Sequence, residues 1–274
     1  MTQLLNYIEQ TDSTNNRLKQ LLAQGGPLPN LYTLYTFYQT AGRGQQGNSW
    51  ESEQGKNLLF STLILPQQLP AAAQFRLSML APLAIVNVIN RLLRSFPFPK
   101  QEGTEEGLSI KWPNDIYIGN RKLAGILIEN TLEGNMVATS VVGIGLNVNQ
   151  TVFHSDAPNP VSLKQITSEN YDLHLLMQQI MCEMHSLLPL LMQPQQLKSY
   201  YMQHLYRAQG FHPYIERVVS VDPTTILQTT DSRQFLARIT DIDDNGSLCL
   251  TLPDNSVRHY HFKQIRFVIP NNSL

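Results

Sequence analysis

The chain has 274 residues, 42% of them hydrophobic and 15% charged, with a formal net charge of -1. That composition supports a buried core and excludes intrinsic disorder, and the near-neutral balance excludes a broadly basic nucleic-acid surface while still allowing a local patch. Its two cysteines, Cys182 and Cys249, stand far apart without CxxC spacing, which argues against a disulfide framework or a cysteine-based zinc site and fits a reducing compartment.

The first residues, Met1-Thr-Gln-Leu-Leu-Asn-Tyr7, lack a basic region followed by an apolar run, so no signal peptide is expected. Thr11-Asp-Ser-Thr-Asn-Asn16 offers several N-caps, and Leu18, Leu21 and Leu22 follow at helical spacing until Gly25-Gly26-Pro27 stops the helix. Residues 31–38, rich in Tyr, Thr and Phe, read as a strand that runs into a loop containing Gly42, Gly44 and Gly47. Residues 57–65 read as a second, mostly buried strand. Residues 74–95 have helical periodicity with Pro82 as a kink or early-turn residue. The apolar stretch 79–89 carries Pro82 and Asn87 and reads as too short to cross a bilayer, so a soluble, cytoplasmic protein is expected.

Residues 97–107 read as a loop. Leu108-Ser-Ile-Lys-Trp112 reads as a strand ending in the turn Pro113-Asn-Asp115, followed by a hairpin through Gly119-Asn120 into residues 122–129. Residues 137–148 form another strand, interrupted by Gly143 and Gly145, and two helices are expected over 172–192 and 195–209. Met177, Met181, Met184 and Leu187-Leu188 fall at helical spacing and read as core. After residue 210 the texture changes to short strands, with Asp244-Asn-Gly246 between alternating segments as a strong hairpin signal. The chain therefore reads as an α+β domain with a small β-barrel appended.

Gly42-Arg-Gly-Gln-Gln-Gly47 matches the GxGxxG dinucleotide fingerprint, but residues 48–55 make a poor amphipathic helix, so the phosphate-on-helix geometry is missing. A Walker A loop also fails, since Gly55-Lys56 is followed by Asn57 and Trp50 stands where the first glycine belongs. Each glycine alone is an ordinary turn residue; Arg43 among them suits an anionic ligand. Pro113-Asn-Asp115 alone is also an ordinary turn. Lys111 and Asp115 bracket it, however, and Lys122 returns on the next strand, so two cations and a carboxylate could hold an anion and magnesium. Gly143 and Gly145 read either as a bulge or as places where missing side chains let a flat ligand approach the backbone. His259 and His261 alternate on a strand, but no third ligand is apparent and ordinary histidines are expected.

Together these motifs resemble the biotin protein ligases. The matching residues are Ser13-Thr-Asn15, Gln39 with Gly42-Arg-Gly44, residues 47–50, Lys111 to Asp115, Lys122-Leu-Ala-Gly-Ile126 and Gly143 to Asn149, in the family's order across about the first 150 residues. The resemblance implies an α+β fold, with a mixed-sheet catalytic domain flanked by helices over residues 1–210 and an SH3-like β-barrel over 211–274. It implies that ATP, with Mg2+, and biotin give biotinyl-5′-AMP, whose acyl group passes to a lysine of the biotin carboxyl carrier protein of a carboxylase.

By the same resemblance, Lys122, Arg43 and Lys111 are the catalytic cations. Ser13, Thr14, Asn15, Gln39, Arg43, Gly44, Gln45, Lys122, Gly125 and Gly143 would hold biotin. Arg43, Trp50, Lys111, Asn114, Asp115, Lys122 and Asn147 would hold ATP or the adenylate. No resident metal site is assigned, the magnesium being carried with ATP. Two departures stand out. Gln45 and Gln46 follow Gly44 where some members have arginine, and no N-terminal helix-turn-helix precedes the catalytic motifs, so no sequence-specific DNA binding is expected. Homo-oligomerisation is left open. A lipoate ligase of the same fold and a non-catalytic biotin sensor are the alternatives; a flavin or nicotinamide enzyme is a distant third.

Overall fold

A computed structural model describes residues 4–45, 48–94, 96, 107–154, 159–221 and 227–269. Seven strands, β1 (Leu5–Tyr7), β2 (Thr33–Thr36), β3 (Leu58–Ile64), β4 (Leu108–Lys111), β5 (Asp115–Ile118), β6 (Arg121–Glu133) and β7 (Met136–Leu146), form one sheet in the order β1-β2-β3-β7-β6-β5-β4. β1 and β2 are parallel and every other pair is antiparallel, so the sheet is mixed.

Side chains alternate across a strand, and here the two faces differ sharply. Leu58, Phe60 and Ile64 of β3, Val142, Ile144 and Leu146 of β7, and Ala124 and Ile126 of β6 belong to the main core, with α2 (Phe75–Leu93), α4 (Leu173–Leu187) and α5 (Pro194–Met202). The opposite face carries α1 (Thr14–Ala23), whose Leu18 packs on Leu34, Leu63 and Val141. Beyond that patch the same face presents the registered rows Ser61–Gly143–Leu127 and Leu59–Gly145–Gly125. Small residues there leave a hollow beside the N-terminus of α1.

The central helix, expected over 74–95, spans Phe75–Leu93, but its apolar character extends well beyond the 79–89 stretch read from the sequence. Together with the preceding turn it covers Ala71–Leu93, 23 residues with mean hydropathy reaching 1.5, enough by length and composition to cross a membrane, yet 67% of that window is buried. It runs through Pro82 because packing on the sheet and on α4 and α5 outweighs one missing backbone hydrogen bond. Its polar groups find partners among those helices: Asn87 donates to Glu183 at 2.7 Å and accepts from the Tyr200 hydroxyl at 2.6 Å.

The helix expected over 195–209 stops at Met202. The chain then pairs with the edge strand β4, Ile110 N donating to His204 O at 2.7 Å and Tyr206 N to Ile110 O at 2.9 Å. The bare edge of β4 wins over helix continuation because its backbone groups need partners. A short helix α3 (Leu163–Thr167) carries a capping box between Ser162 and Gln165, a signal readable as Ser-x-x-Gln. Of the loop expected over 97–107, residues 97–106 lie outside the described residues.

A second sheet follows: β8 (His212–Val221), β9 (Leu227–Ile242), β10 (Leu248–Thr251), β11 (Val257–Tyr260) and β12 (Ile265–Phe267), antiparallel in the order β11-β10-β9-β8-β12 and SH3-like. β9 pairs with β8 through Ala237 and with β10 from Arg238 onward, making it the spine of this unit. The hairpin signalled by Asp244-Asn-Gly246 forms as expected, with Gly246 at φ +88°. This glycine is also a docking point. A Cβ there would strike the Phe75 ring at 2.3 Å, and its carbonyl accepts the Trp112 indole N–H at 3.0 Å.

Candidate active site

The N-terminus of α1 opens onto the hollow. Ser13 caps it, accepting from Asn16 N at 3.5 Å, and Gln39 Oε1 takes both the Thr14 N–H (2.7 Å) and the Thr14 hydroxyl (3.1 Å). Ser61 Oγ lies 2.7 Å from Thr14 Oγ1 and 2.5 Å from Asn15 Oδ1, so its single proton serves one of them at a time. Asn15 donates to Glu129 at 2.8 Å. Burial alone would raise the Glu129 carboxyl, but hydrogen bonds from Lys19 and Asn15 and the charges of Lys19 and Arg43 hold it below the usual range.

The glycines of β6 and β7 line the cleft and also make room for side chains that cross it. A Cβ on Gly143 would meet Asn15 Oδ1 at 2.0 Å, and one on Gly145 or Gly125 would meet the Trp50 ring at 2.4 or 2.7 Å. Gly125 and Gly145 face each other across the strands, so the indole lies on a two-glycine floor. Trp50 reaches it from the glycine loop, which folds back on itself through Trp50 N to Gly42 O (2.9 Å) and Gly44 N to Asn48 O (2.6 Å). Gln45 spans the hollow, its amide donating to Asn114 Oδ1 at 3.2 Å and to Ile126 O at 3.4 Å. Gln46 and Gly47 lie outside the described residues.

The charged groups converge on one side. Lys122 Nζ lies 2.8 Å from Asp115 Oδ2 and 5.8 Å from the Trp50 ring centroid. Lys111 Nζ sits over Tyr117 at 5.4 Å and over Phe267 of the C-terminal sheet at 5.0 Å; burial lowers its pKa against the opposing pull of Asp115. The Arg43 guanidinium turns towards α1, donating to Asn16 at 2.6 Å and lying 3.7 Å from Glu129.

A cleft of about 260 Å³ results. Ser13, Thr14, Asn15, Gln39, Arg43, Gly44, Gln45, Trp50, Lys111, Asn114, Asp115, Lys122, Gly125 and Gly143 all line it. Four basic side chains, Arg43, Lys111, Lys122 and Lys263, face it against one carboxylate, Asp115. The sequence reading missed Leu127, Phe262 and Lys263, and gave Trp112 no role beyond its place in the Lys111 to Asp115 motif; Phe262 and Lys263 arrive from the C-terminal sheet, where no local motif marks them.

A sequence profile of the biotin/lipoate A/B protein ligase family matches residues 7–147, just over half of the chain. The chain belongs to this family. The bifunctional ligase/repressor BirA of Escherichia coli is 30% identical over 77% of this chain and 57% of its own length, and that of Bacillus subtilis is 33% identical over 66% and 52%. The chain thus spans little more than half the length of these relatives. A biotin--[acetyl-CoA-carboxylase] ligase of Mycobacterium tuberculosis is 28% identical over 92% of this chain and 85% of its own. The structure of the Aquifex aeolicus biotin protein ligase in complex with biotin and ATP superimposes with a TM-score of 0.70 over 96% of this chain and 98% of its own, at 20% identity, and shares the fold.

In this member of the family Asn147 does not line the main cleft. It lines a separate slot of about 40 Å³ with Ser49, Trp50, Glu51, Lys122, Phe153 and Pro160. Its amide donates to Val161 O at 3.2 Å, while its buried Oδ1 has no partner among the described residues; the buried Trp50 Nε1 has none either. Trp50 and Lys122 line both compartments, so the indole is a partition and the lysine stands where the two sides meet.

Proposed function

We propose that the chain is an ATP-dependent ligase that forms biotinyl-5′-AMP and transfers biotin to a lysine of the biotin carboxyl carrier protein of a biotin-dependent carboxylase. The observation that carries this reading is the partition itself. Two compartments share Lys122 at their junction, the arrangement needed to join two molecules that must meet but are recognised differently. Biotin, an apolar bicycle with one ureido group, fits the larger cleft, where the α1 N-terminus, Thr14, Asn15 and Gln39 supply polar atoms and Leu127 and the Trp50 ring supply apolar wall. The adenine base is assigned to the slot beside Trp50 and Phe153, which has to widen to take it and where the unpartnered Asn147 Oδ1 could then accept from an amino group.

The chemistry follows from charge. A biotin carboxylate oxygen attacks the α-phosphorus of ATP, pyrophosphate leaves, and two anions have to approach each other. Lys122, Lys111 and Lys263 offset that repulsion from the cleft wall. Asp115, the one carboxylate lining the cleft, would hold a Mg2+ carried with the phosphates, which would supply further charge neutralisation there. The amine of a carrier lysine then attacks the acyl carbon and AMP departs. The Gln45 bridge to Asn114 and Ile126 holds the glycine loop over the cleft, limiting water access to the reactive anhydride.

We also propose that residues 1–210 form the catalytic unit and that residues 211–274 complete the nucleotide side, through Phe262 and Lys263, and contribute to carrier binding. The experiment is biotin-dependent exchange of labelled pyrophosphate into ATP, run in parallel with lipoate. Exchange with biotin alone is expected. Exchange driven by lipoate, or none from folded protein that still binds biotin, overturns the reading.

A further inference from the structure

Away from the cleft, the C-terminal sheet gathers three metal-ligating side chains from three segments. Asp243 follows β9, Cys249 lies on β10 and His259 on β11. The register fixes them, since Cys249 stands directly opposite His259. The Cys249 thiol donates to Asp243 Oδ1 at 3.1 Å, His259 Nδ1 lies 2.8 Å from Asp243 Oδ2, and Cys249 Sγ lies 3.5 Å from His259 Nδ1.

We propose that Asp243, Cys249 and His259 bind zinc. A tetrahedral zinc needs nitrogen-to-oxygen and sulfur-to-nitrogen edges of about 3.3 and 3.6 Å. Here Asp243 Oδ2 and His259 Nδ1 stand 2.8 Å apart, Cys249 Sγ and His259 Nδ1 3.5 Å, and one donor atom from each residue lies within 4.8 Å of the other two, so a modest rotation of the Asp243 carboxylate brings the set to one ion. The donor set is soft and borderline, which selects zinc over magnesium and keeps this site chemically distinct from the metal that accompanies ATP. Binding displaces the thiol proton to solvent, leaving a thiolate, a carboxylate and a neutral imidazole, whose two negative charges balance the cation. The His259 side chain is 55% exposed, so the ion has a route in and its fourth position can hold water.

The surroundings suit a structural clamp. Asp241, opposite Cys249 on β9, is paired to Lys198 of α5 at 2.7 Å, tying this face to the catalytic unit. Asp243 also closes the hairpin turn, accepting from Gly246 N at 2.8 Å, and the Gly246 carbonyl holds Trp112 of the cleft wall. Zinc would lock the turn that carries this contact. Sequence alone missed the cluster because its members lie on separate strands and one is a carboxylate.

The test uses the full chain, stripped with a chelator and titrated with Co2+ as a spectroscopic stand-in for zinc. One equivalent is expected to bind, giving a thiolate-to-cobalt charge-transfer band that zinc abolishes and millimolar magnesium does not. Cys249→Ser should remove the band although the exposed Cys182 remains, and His259→Ala should weaken binding at least about 100-fold. Chelation should also lower the thermal midpoint of the parent. If Cys249→Ser fails to fold, Asp243→Asn provides the same reading through loss of affinity. No charge-transfer band in the parent, a band that survives Cys249→Ser, or undiminished affinity in His259→Ala or Asp243→Asn overturns the proposal.

Discussion

Trp50 lies so close over Gly145 that a single added methyl carbon at 145 would sit 2.4 Å from the indole. Gly145→Ala therefore forces the ring off its floor and opens the partition between the compartments. Expected are a stability loss of about 1–3 kcal/mol from overpacking and a change in tryptophan fluorescence, with affinity falling for both substrates. Chemical denaturation followed by fluorescence checks it; an alanine variant with parental stability and emission shows that Trp50 is not held there.

Lys122 is the residue common to both compartments. Lys122→Ala should lower biotin-dependent pyrophosphate exchange at least about 100-fold, the scale for removing one electrostatic stabiliser of a transition state, while circular dichroism stays native. Near-parental exchange from the folded variant removes Lys122 from the chemistry.

Asn147 lines only the smaller slot, and its buried side-chain carbonyl is unpartnered among the described residues. Asn147→Ala should raise the KM for ATP by about tenfold, the worth of one lost hydrogen bond, and leave the biotin dissociation constant unchanged. An effect on biotin equal to that on ATP contradicts separate compartments.

Lys111 couples stability to pH. Burial lowers its pKa from 10.5, so between the lowered folded value and 10.5 the unfolded chain binds the extra proton and stability rises with pH. Below that window the buried charge is a cost, so Lys111→Met should raise the denaturation midpoint at neutral pH while reducing adenylation. The buried tyrosines Tyr117 and Tyr201, both raised, act oppositely at alkaline pH but cancel between parent and variant. The parent's advantage in slope should vanish in Lys111→Met; a variant less stable at neutral pH refutes the account.

Much of the cleft was legible because its residues sit in short contiguous motifs whose turns are local: Ser13-Thr-Asn15 at a helix cap, the glycine loop, and Lys111 to Asp115 at a hairpin. Gly143 and Gly145 were legible as points of close approach, but a glycine does not name what approaches, and the side chains of Asn15 and Trp50 were not foreseen there. Phe262 and Lys263 were invisible because only the docking of Gly246 against Phe75 and Trp112 brings their loop to the cleft. The end of α5 was lost for a similar reason: the competing partner, β4, lies some ninety residues earlier in the chain.

The position of α2 also bears on how the protein is made. The helices and strands that chiefly cover it, β4 to β6, α4 and α5, all follow it in sequence. During synthesis the most apolar helix therefore emerges well before its covering elements, and it stays exposed until α5 ends at Met202. A nascent chain stalled in that interval offers chaperones, or a neighbouring chain, a greasy rod with nothing yet to shield it. Expression yield should then depend more on translation through residues 94–202 than on any property of the finished site.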